Sequence, residues 1–334
     1  MPTMKAAYYE KTGGPEVIRY GDLPRPTPRE GEVLVRVGAA ALNPIDTYIR
    51  SGAVNMPRPS PCIPGCDFAG TVEAVGPGVK TFKPGDRVWG SNQGVLGRQG
   101  TFAEYAAVAQ EYAYPTPPGV SDKEAAAAAL VGITAHLGLF RCAGLKAGET
   151  VFVNGGTGGV GSMVVQMAKA VGARAVTTVG SPEKARLCRD RGADCVINYK
   201  SEDVAAAIRN YTQGQGVHVW YETQREPDFM RTVDLMTRRG RIVIIAGRQA
   251  QPVFPVGPFY TRDLSLFGFT IFNATPEEQR HGAEDISRWL AEKKLHPLIG
   301  RTLPLSEAAA AHRLQEENSL NKAGTLTGKI VLVP

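Results

Sequence analysis

Cysteine is scarce and scattered in this chain. Cys62, Cys66, Cys142, Cys188 and Cys195 make five among 334 residues. An odd number without paired spacing excludes a disulfide framework and points to a reducing compartment. Long apolar runs are lacking too: the alanine-rich run Glu124–Leu130 is too short to span a bilayer. The opening residues Met1-Pro2-Thr3-Met4-Lys5 carry no apolar segment ahead of a cleavage site, so no secretory signal is expected. There is no basic tail; 38 Lys and Arg against 32 Asp and Glu leave a charge of +6 spread over both signs. With neither aromatic–basic interleaving nor zinc-finger spacing, nucleic acid is not the expected partner, whereas an anionic cofactor would suit that charge. The expectation is a soluble cytoplasmic protein with no membrane association.

What is present is glycine, 38 residues of it, with 24 prolines, in a chain 43% hydrophobic and 21% charged. That length favours two domains, each able to bury a core. Residues 1–120 read as short strands broken by Gly and Pro: Val33, Val35 and Val37 recur with period two within Glu32–Val37, another strand covers Thr71–Val75, and Gly85–Trp89 is a turn feeding a third. This texture predicts a partly open barrel or sandwich, with Pro115–Pro118 as a hinge. Residues 121–262 alternate strand and helix. Strands are expected at Val151–Val153, Arg174–Val179, Cys195–Ile197, Val217–Tyr221 and Arg241–Ala246. Helices are expected after the first glycine cluster, at Pro182–Arg191, Val204–Thr212 and Phe229–Thr237. Such alternation predicts a parallel sheet covered on both faces. Residues 263–334 are mixed: an edge strand in Leu264–Phe272 able to pair with a partner subunit, a helix Glu277–Glu292, and a last strand Lys329–Val333 returning to the first domain. The fold class expected is therefore α/β plus β, with the α/β domain inserted into the β domain.

Gly156-Thr157-Gly158-Gly159-Val160-Gly161 matches G-x-G-x-x-G between a strand and a helix, the context that the dinucleotide fingerprint requires. In that reading Gly156 permits the tight turn, Gly158 lets the backbone approach a pyrophosphate, and Gly161 lets helix and strand pack closely. The helix start then offers unpaired N–H groups and a positive dipole end to phosphate. An NAD-selective site places Asp or Glu about 20 residues onward. Here the second strand ends Thr178-Val179-Gly180-Ser181, without an acid. Ser181 can donate to a 2′-phosphate and Lys184 can offer it charge, with Tyr199 at the next strand end. NADPH is therefore expected over NADH.

Several segments carry a resemblance beyond this motif. They are Gly13-Gly14-Pro15-Glu16-Val17, Asn43-Pro44-Ile45-Asp46-Thr47-Tyr48-Ile49-Arg50-Ser51-Gly52, Pro64-Gly65-Cys66-Asp67-Phe68-Ala69-Gly70, Gly85-Asp86-Arg87-Val88, Phe102-Ala103-Glu104-Tyr105 and Thr327-Gly328-Lys329. Together they resemble the zinc-independent quinone oxidoreductases related to zeta-crystallin, within the medium-chain dehydrogenase/reductase superfamily. The resemblance implies a Rossmann sheet inserted in a GroES-like partly open β-barrel domain, a cofactor in the cleft between them, and a homodimer or homotetramer. It implies that Asn43, Asp46 and Tyr48 line the cleft near the nicotinamide, and that Thr157, Gly158, Gly159 and Val160 meet the diphosphate. Gly180, Ser181, Lys184 and Tyr199 would meet the adenosine end. Gly247, Arg248, Phe269, Thr270 and Ile271 would border the nicotinamide half, and Lys329 would contact the cofactor from the closing strand.

Alcohol dehydrogenases of the same superfamily carry Cys where this chain has Asn43 and His where it has Cys66. Their lobe of four close cysteines has no counterpart in Gly90–Thr101, and one soft ligand cannot build a four-coordinate site, so no metal is expected. One departure stands out. After Val217–Tyr221, relatives have an acid and a small glycine-rich turn; this chain has Glu222-Thr223-Gln224-Arg225-Glu226-Pro227, bulkier and more charged. The reaction implied is hydride transfer from NADPH to a quinone, with Tyr48 and Asn43 hydrogen-bonding the acceptor oxygen. Two alternatives stay open: reduction of the carbon–carbon double bond of enones, alkenals or enoyl thioesters, and a non-enzymatic NADPH-binding structural or RNA-binding role. His136, His218, His281, His296 and His312 lie outside the matching motifs and are given no acid–base role.

Overall fold

In the computed structural model, residues 2–321 and 323–334 are described. The chain forms two compact units: Met1–Leu130 with Pro276–Ala291 and Pro297–Pro334, and Val131–Thr275 with Glu292–His296.

The first unit opens with the antiparallel pair β1 (Thr3–Tyr8) and β2 (Arg19–Pro24). Then come β3 (Glu32–Leu42), α1 (Pro44–Ser51), β4 (Asp67–Val75), β5 (Arg87–Gly90), β6 (Tyr105–Ala109), β7 (Ala113–Pro115) and α2 (Asp122–His136). β3 runs five residues beyond the period-two pattern, because Ala39, Ala40 and Ala41 are small enough to be buried on both faces. Pro115–Pro118 overlaps the end of β7 inside this unit. The alanine-rich run proves to be part of a longer element: α2 continues as a π-helix, Leu137–Cys142, giving 21 helical residues. By length and composition that helix could cross a bilayer, but 78% of its most apolar window is buried inside the protein, as in a core helix.

The second unit alternates β8 (Thr150–Val153), α3 (Gly159–Ala170), β9 (Arg174–Val179), α4 (Pro182–Asp190), β10 (Cys195–Asn198), α5 (Val204–Tyr211), β11 (Val217–Glu222), α6 (Phe229–Asp234), β12 (Met236–Ile244), α7 (Val256–Tyr260) and β13 (Ser265–Gly268). Its six strands are parallel, in the order β10-β9-β8-β11-β12-β13. Val176, Phe152, Trp220 and Ile242 stand in one register row and form a buried core with Ile197. Strand order reverses between β8 and β11, and such a switch point is where open α/β sheets bind ligands, beyond the carboxyl ends of the strands. The apolar Leu264–Phe272 stretch yields only a short edge strand, followed by a 3-10 turn at Ile271–Asn273. The helix expected over Phe229–Thr237 stops at Asp234, because the chain enters β12 at Met236.

The chain then returns to the first unit through α8 (Pro276–Ala291), β14 (Ile299–Pro304), α9 (Ala308–Ser319) and β15 (Lys329–Val333). β15 lies antiparallel to β3 in a seven-stranded sheet, Ile330 opposite Leu42, so that Lys329 arrives beside Asn43 at the start of α1. The core of this sheet includes Val33, Val35, Phe68, Val88, Phe102, Ile330 and Leu332.

Candidate functional site

The glycine turn follows β8 at the switch point. Its left-handed residue is Gly155, at φ +66, one position before the first glycine of the motif. Gly156 is glycine for space: a Cβ there would lie 2.5 Å from Thr177 Oγ1 and 2.9 Å from Cys188 Sγ. Gly161 is more constrained, since its Cβ would meet the Gly155 carbonyl oxygen at 2.3 Å. The turn is pinned to β9: the Gly155 N–H donates to Thr178 Oγ1 at 3.1 Å, and the Gly156 N–H to the Thr178 carbonyl at 3.1 Å. α3 begins at Gly158 without a side-chain cap, and Gly158, Gly159 and Val160 are exposed or half-exposed. First-turn N–H groups left uncapped on an accessible helix start make a site for phosphate. Thr157 is buried in the turn.

At the tip of β9, Ser181 caps α4: its Oγ accepts the Lys184 N–H at 3.3 Å. The nearby Ser181 hydroxyl holds the Glu183 carboxyl below its usual range. Tyr199, 56% exposed, lies across Gly180. The structure thus brings Gly180, Ser181, Lys184 and Tyr199 to one strand end.

Across the switch point, Asn154 joins three strand ends, a role that sequence reasoning missed. Its amide faces Glu222 Oε1 at 3.4 Å, its Oδ1 accepts from Thr178 Oγ1 at 3.4 Å, and its carbonyl accepts from Thr223 Oγ1 at 3.1 Å. The only signal was its place between a strand and a glycine turn. Glu222 is 1% exposed and accepts from Trp220 Nε1 at 3.0 Å and the Gln224 N–H at 2.7 Å. Burial raises its pKa despite these donors. The bulky turn after Glu222 packs beside Gly247, whose Cβ would meet the Arg225 carbonyl oxygen at 3.2 Å and Pro227 Cδ at 3.3 Å. Arg248 and Thr270 are exposed and Ile271 is buried. Phe269 is half-buried under the Arg141 guanidinium, 5.2 Å from its ring centroid.

In the first unit two of the expected cleft residues, Asn43 and Asp46, belong to a buried polar cluster. Asn43 is fully buried. Its amide nitrogen donates to Asp67 Oδ2 at 2.8 Å and to the Ala41 carbonyl at 3.3 Å, and its Oδ1 accepts from Lys329 Nζ. Both amide hydrogens are thus engaged, so Asn43 is not a free donor to an acceptor oxygen. Asp46 caps α1 by accepting the Asn43 N–H at 2.8 Å, and its other oxygen accepts from Cys66 Sγ at 3.1 Å. Asp67 accepts from Ser91 Oγ at 2.7 Å and the Leu130 N–H at 3.0 Å as well, with Lys329 Nζ at 3.5 Å. Lys329, expected on the cofactor, is buried within this cluster. Burial pushes the Asp46 carboxyl up to about 7, although the Cys66 and Asn43 donors pull it down. It also raises Asp67, against the pull of Lys329, and lifts the Cys66 thiol well above its usual value. Tyr48, half-buried on α1, has no partner for its hydroxyl among the described residues.

The comparisons with known proteins meet this geometry at both ends. Residues 29–118 match the alcohol dehydrogenase GroES-like domain, and residues 159–288 match the zinc-binding dehydrogenase domain. The chain is 33% identical over 331 residues to the quinone oxidoreductase of Homo sapiens, covering 99% of this chain and 98% of that protein. The chain belongs to the zinc-independent quinone oxidoreductase family. Among solved members of its superfamily, the Escherichia coli quinone oxidoreductase complexed with NADPH is 29% identical, covering 99% of this chain and all of that one, at a TM-score of 0.85. A structure described as an NAD-dependent alcohol dehydrogenase is 33% identical with the same coverage, at a TM-score of 0.89. The zinc-independence of this chain is visible in its donor set. A single protonated thiol stands beside an amide and carboxylates that already hold one another and a lysine ammonium. Zinc needs thiolate or imidazole donors left free to turn inward, and this cluster does not fit it.

Proposed function

We propose that this chain transfers hydride from NADPH to a quinone. The observation that carries the reading is the acid-free strand end at Gly180 beside an uncapped glycine turn, in a chain whose curated relatives are quinone oxidoreductases. The N–H groups of Thr157, Gly159 and Val160 hold the diphosphate, and Gly158, whose own N–H closes the turn onto the Gly155 carbonyl at 2.8 Å, lets it approach the backbone. Gly180, Ser181, Lys184 and Tyr199 hold the adenosine end; Gly247, Arg248, Phe269, Thr270 and Ile271 border the nicotinamide. When bound, NADPH supplies the hydride. Tyr48 offers its hydroxyl to the acceptor oxygen and stabilises the charge that develops there. Asn43, Asp46 and Lys329 act behind it, fixing the first turn of α1. A quinone product takes its protons from solvent, so no buried acid is required. The free cysteines fit a cytoplasmic protein, and the open edge of β13, with Leu266 at 40% exposure, fits a homodimer.

The test is turnover of 1,2-naphthoquinone, 2-alkenals and crotonyl thioesters with NADPH and with NADH. Quinone reduction with NADPH preferred is expected, and Tyr48→Phe should lower kcat by roughly tenfold with NADPH affinity unchanged. Turnover confined to alkenals or thioesters would make the chain a double-bond reductase. Tight NADPH binding without any turnover would make it a non-enzymatic binding protein.

A further inference from the structure

The tip of β9 carries a charge that the motif did not reveal. A Cβ built on Gly180 would lie 2.5 Å from Tyr199 Oη and 3.4 Å from Lys200 Cε. Both side chains therefore cross the face of Gly180, and a methyl group there would displace Tyr199 and touch Lys200. Their backbone is held in place: the Tyr199 N–H donates to the Val179 carbonyl at 3.1 Å, and the Lys200 N–H to Asn198 Oδ1 at 3.2 Å. In a Rossmann sheet, the group at the end of the second strand faces the 2′ position of the adenosine ribose. What lies over Gly180 thus meets whatever that position carries.

Ser181 is less available than its sequence position suggests. Its oxygen caps α4 by accepting the Lys184 N–H at 3.3 Å, and Glu183 stands two residues on, in the first turn of that helix. Glu183 is an acid in the first turn of α4, displaced by three residues from the strand tip where an NAD-type acid would stand. There it stabilises the helix start, and it also repels any phosphate bound beside Ser181.

We propose that Lys200 and Glu183 are opposed determinants of cofactor specificity, Lys200 pairing with the 2′-phosphate of NADPH and Glu183 weakening that pairing. The proposal rests on the NADPH reading above. Tyr199 contributes a phenol donor on the same face, and the pairing is charge-assisted.

Calorimetric titration with 2′,5′-ADP and with 5′-AMP tests it, since the two ligands differ only in the 2′-phosphate. Lys200→Ala should weaken 2′,5′-ADP about tenfold and leave 5′-AMP within about twofold; Lys200→Arg should retain most of the affinity. Glu183→Gln should tighten 2′,5′-ADP about threefold without moving 5′-AMP. The preference of the unmutated protein should shrink with added salt. If that protein discriminates but Lys200→Ala discriminates equally, the assignment of Lys200 is overturned while the NADPH reading survives. If Glu183→Gln leaves 2′,5′-ADP unchanged or weakens it, the opposing role of Glu183 is overturned. If the unmutated protein binds both ligands equally, the NADPH reading falls and the proposal with it. A variant that weakens both ligands alike has lost structure at the strand tip, which also counts against a charge-specific role.

Discussion

The glycine turn before α3 and the polar cluster before α1 are both helix starts, built on opposite principles. The α3 start is made of what is missing: no side-chain cap, no Cβ at Gly156, Gly158 or Gly161, and backbone N–H groups open to an anion. The α1 start is made of side chains that consume one another: Asp46 caps the first turn, Cys66 caps Asp46, and Asn43 is locked between Asp67 and Lys329. An open helix end is a binding device, because its unpaired groups wait for a ligand. A saturated one is a positioning device that holds Tyr48 on a rigid turn.

That contrast can be broken at its most charged point. Lys329→Met leaves Asp67 buried without its cation and should cost about 3 kcal/mol at pH 8, measured by denaturant unfolding. Protonation of Asp67 relieves the loss, so the cost should shrink at pH 5; equal costs at both pH values would mean that the ammonium is not what matters. Next comes Gly161→Ala. Its methyl would press on the Gly155 carbonyl, and a loss of roughly 2 kcal/mol is expected together with loss of dinucleotide binding. Binding that survived would show that the open turn is not the phosphate site.

A smaller effect follows from Asp46. Its folded pKa of about 7 lies above the unfolded value, so the native state holds a proton that the unfolded state releases. The stability it contributes is present at low pH and is lost as pH rises through 7. The raised Asp67 acts in the same direction. Stability should therefore fall by about 2 kcal/mol, in order of magnitude, between pH 5 and pH 8, and Asp46→Asn should flatten most of that slope. An unchanged slope in the variant would assign the titration to another group. The smallest effect is expected at Arg186, exposed and 4.0 Å from Asp190. Arg186→Ala should change neither melting temperature nor NADPH affinity measurably, because exposed ion pairs contribute little.

Local signals in this chain read local structure well. β9 at Arg174–Val179 and β15 at Lys329–Val333 have the bounds that pattern predicts, since an apolar run between turn residues marks both ends of a buried strand. Ser181 before Pro182 marks the start of α4 for the same kind of reason. α1 was harder: with eight residues and a proline at its first position, it carries too few turns for a period to emerge. The left-handed residue of the glycine turn, Gly155, lies outside the six-residue motif, and a run of glycines offers no side chain to single it out. Lys329 and Asp67 are 262 residues apart, and nothing near either one announces the other.

The sequence by itself determined the strand–helix alternation, the glycine turn in its proper context and the missing acid at Gly180, because each depends on neighbours a few positions away. Tertiary structure alone decided that Asn43 and Lys329 face each other, and that Lys200 lies across Gly180. Strand register and chain reversal set those distances. The physical reason is that local sequence fixes backbone propensity and capping, whereas the partner of a buried charge is chosen only when distant segments dock and the cost of leaving that charge unpaired must be met.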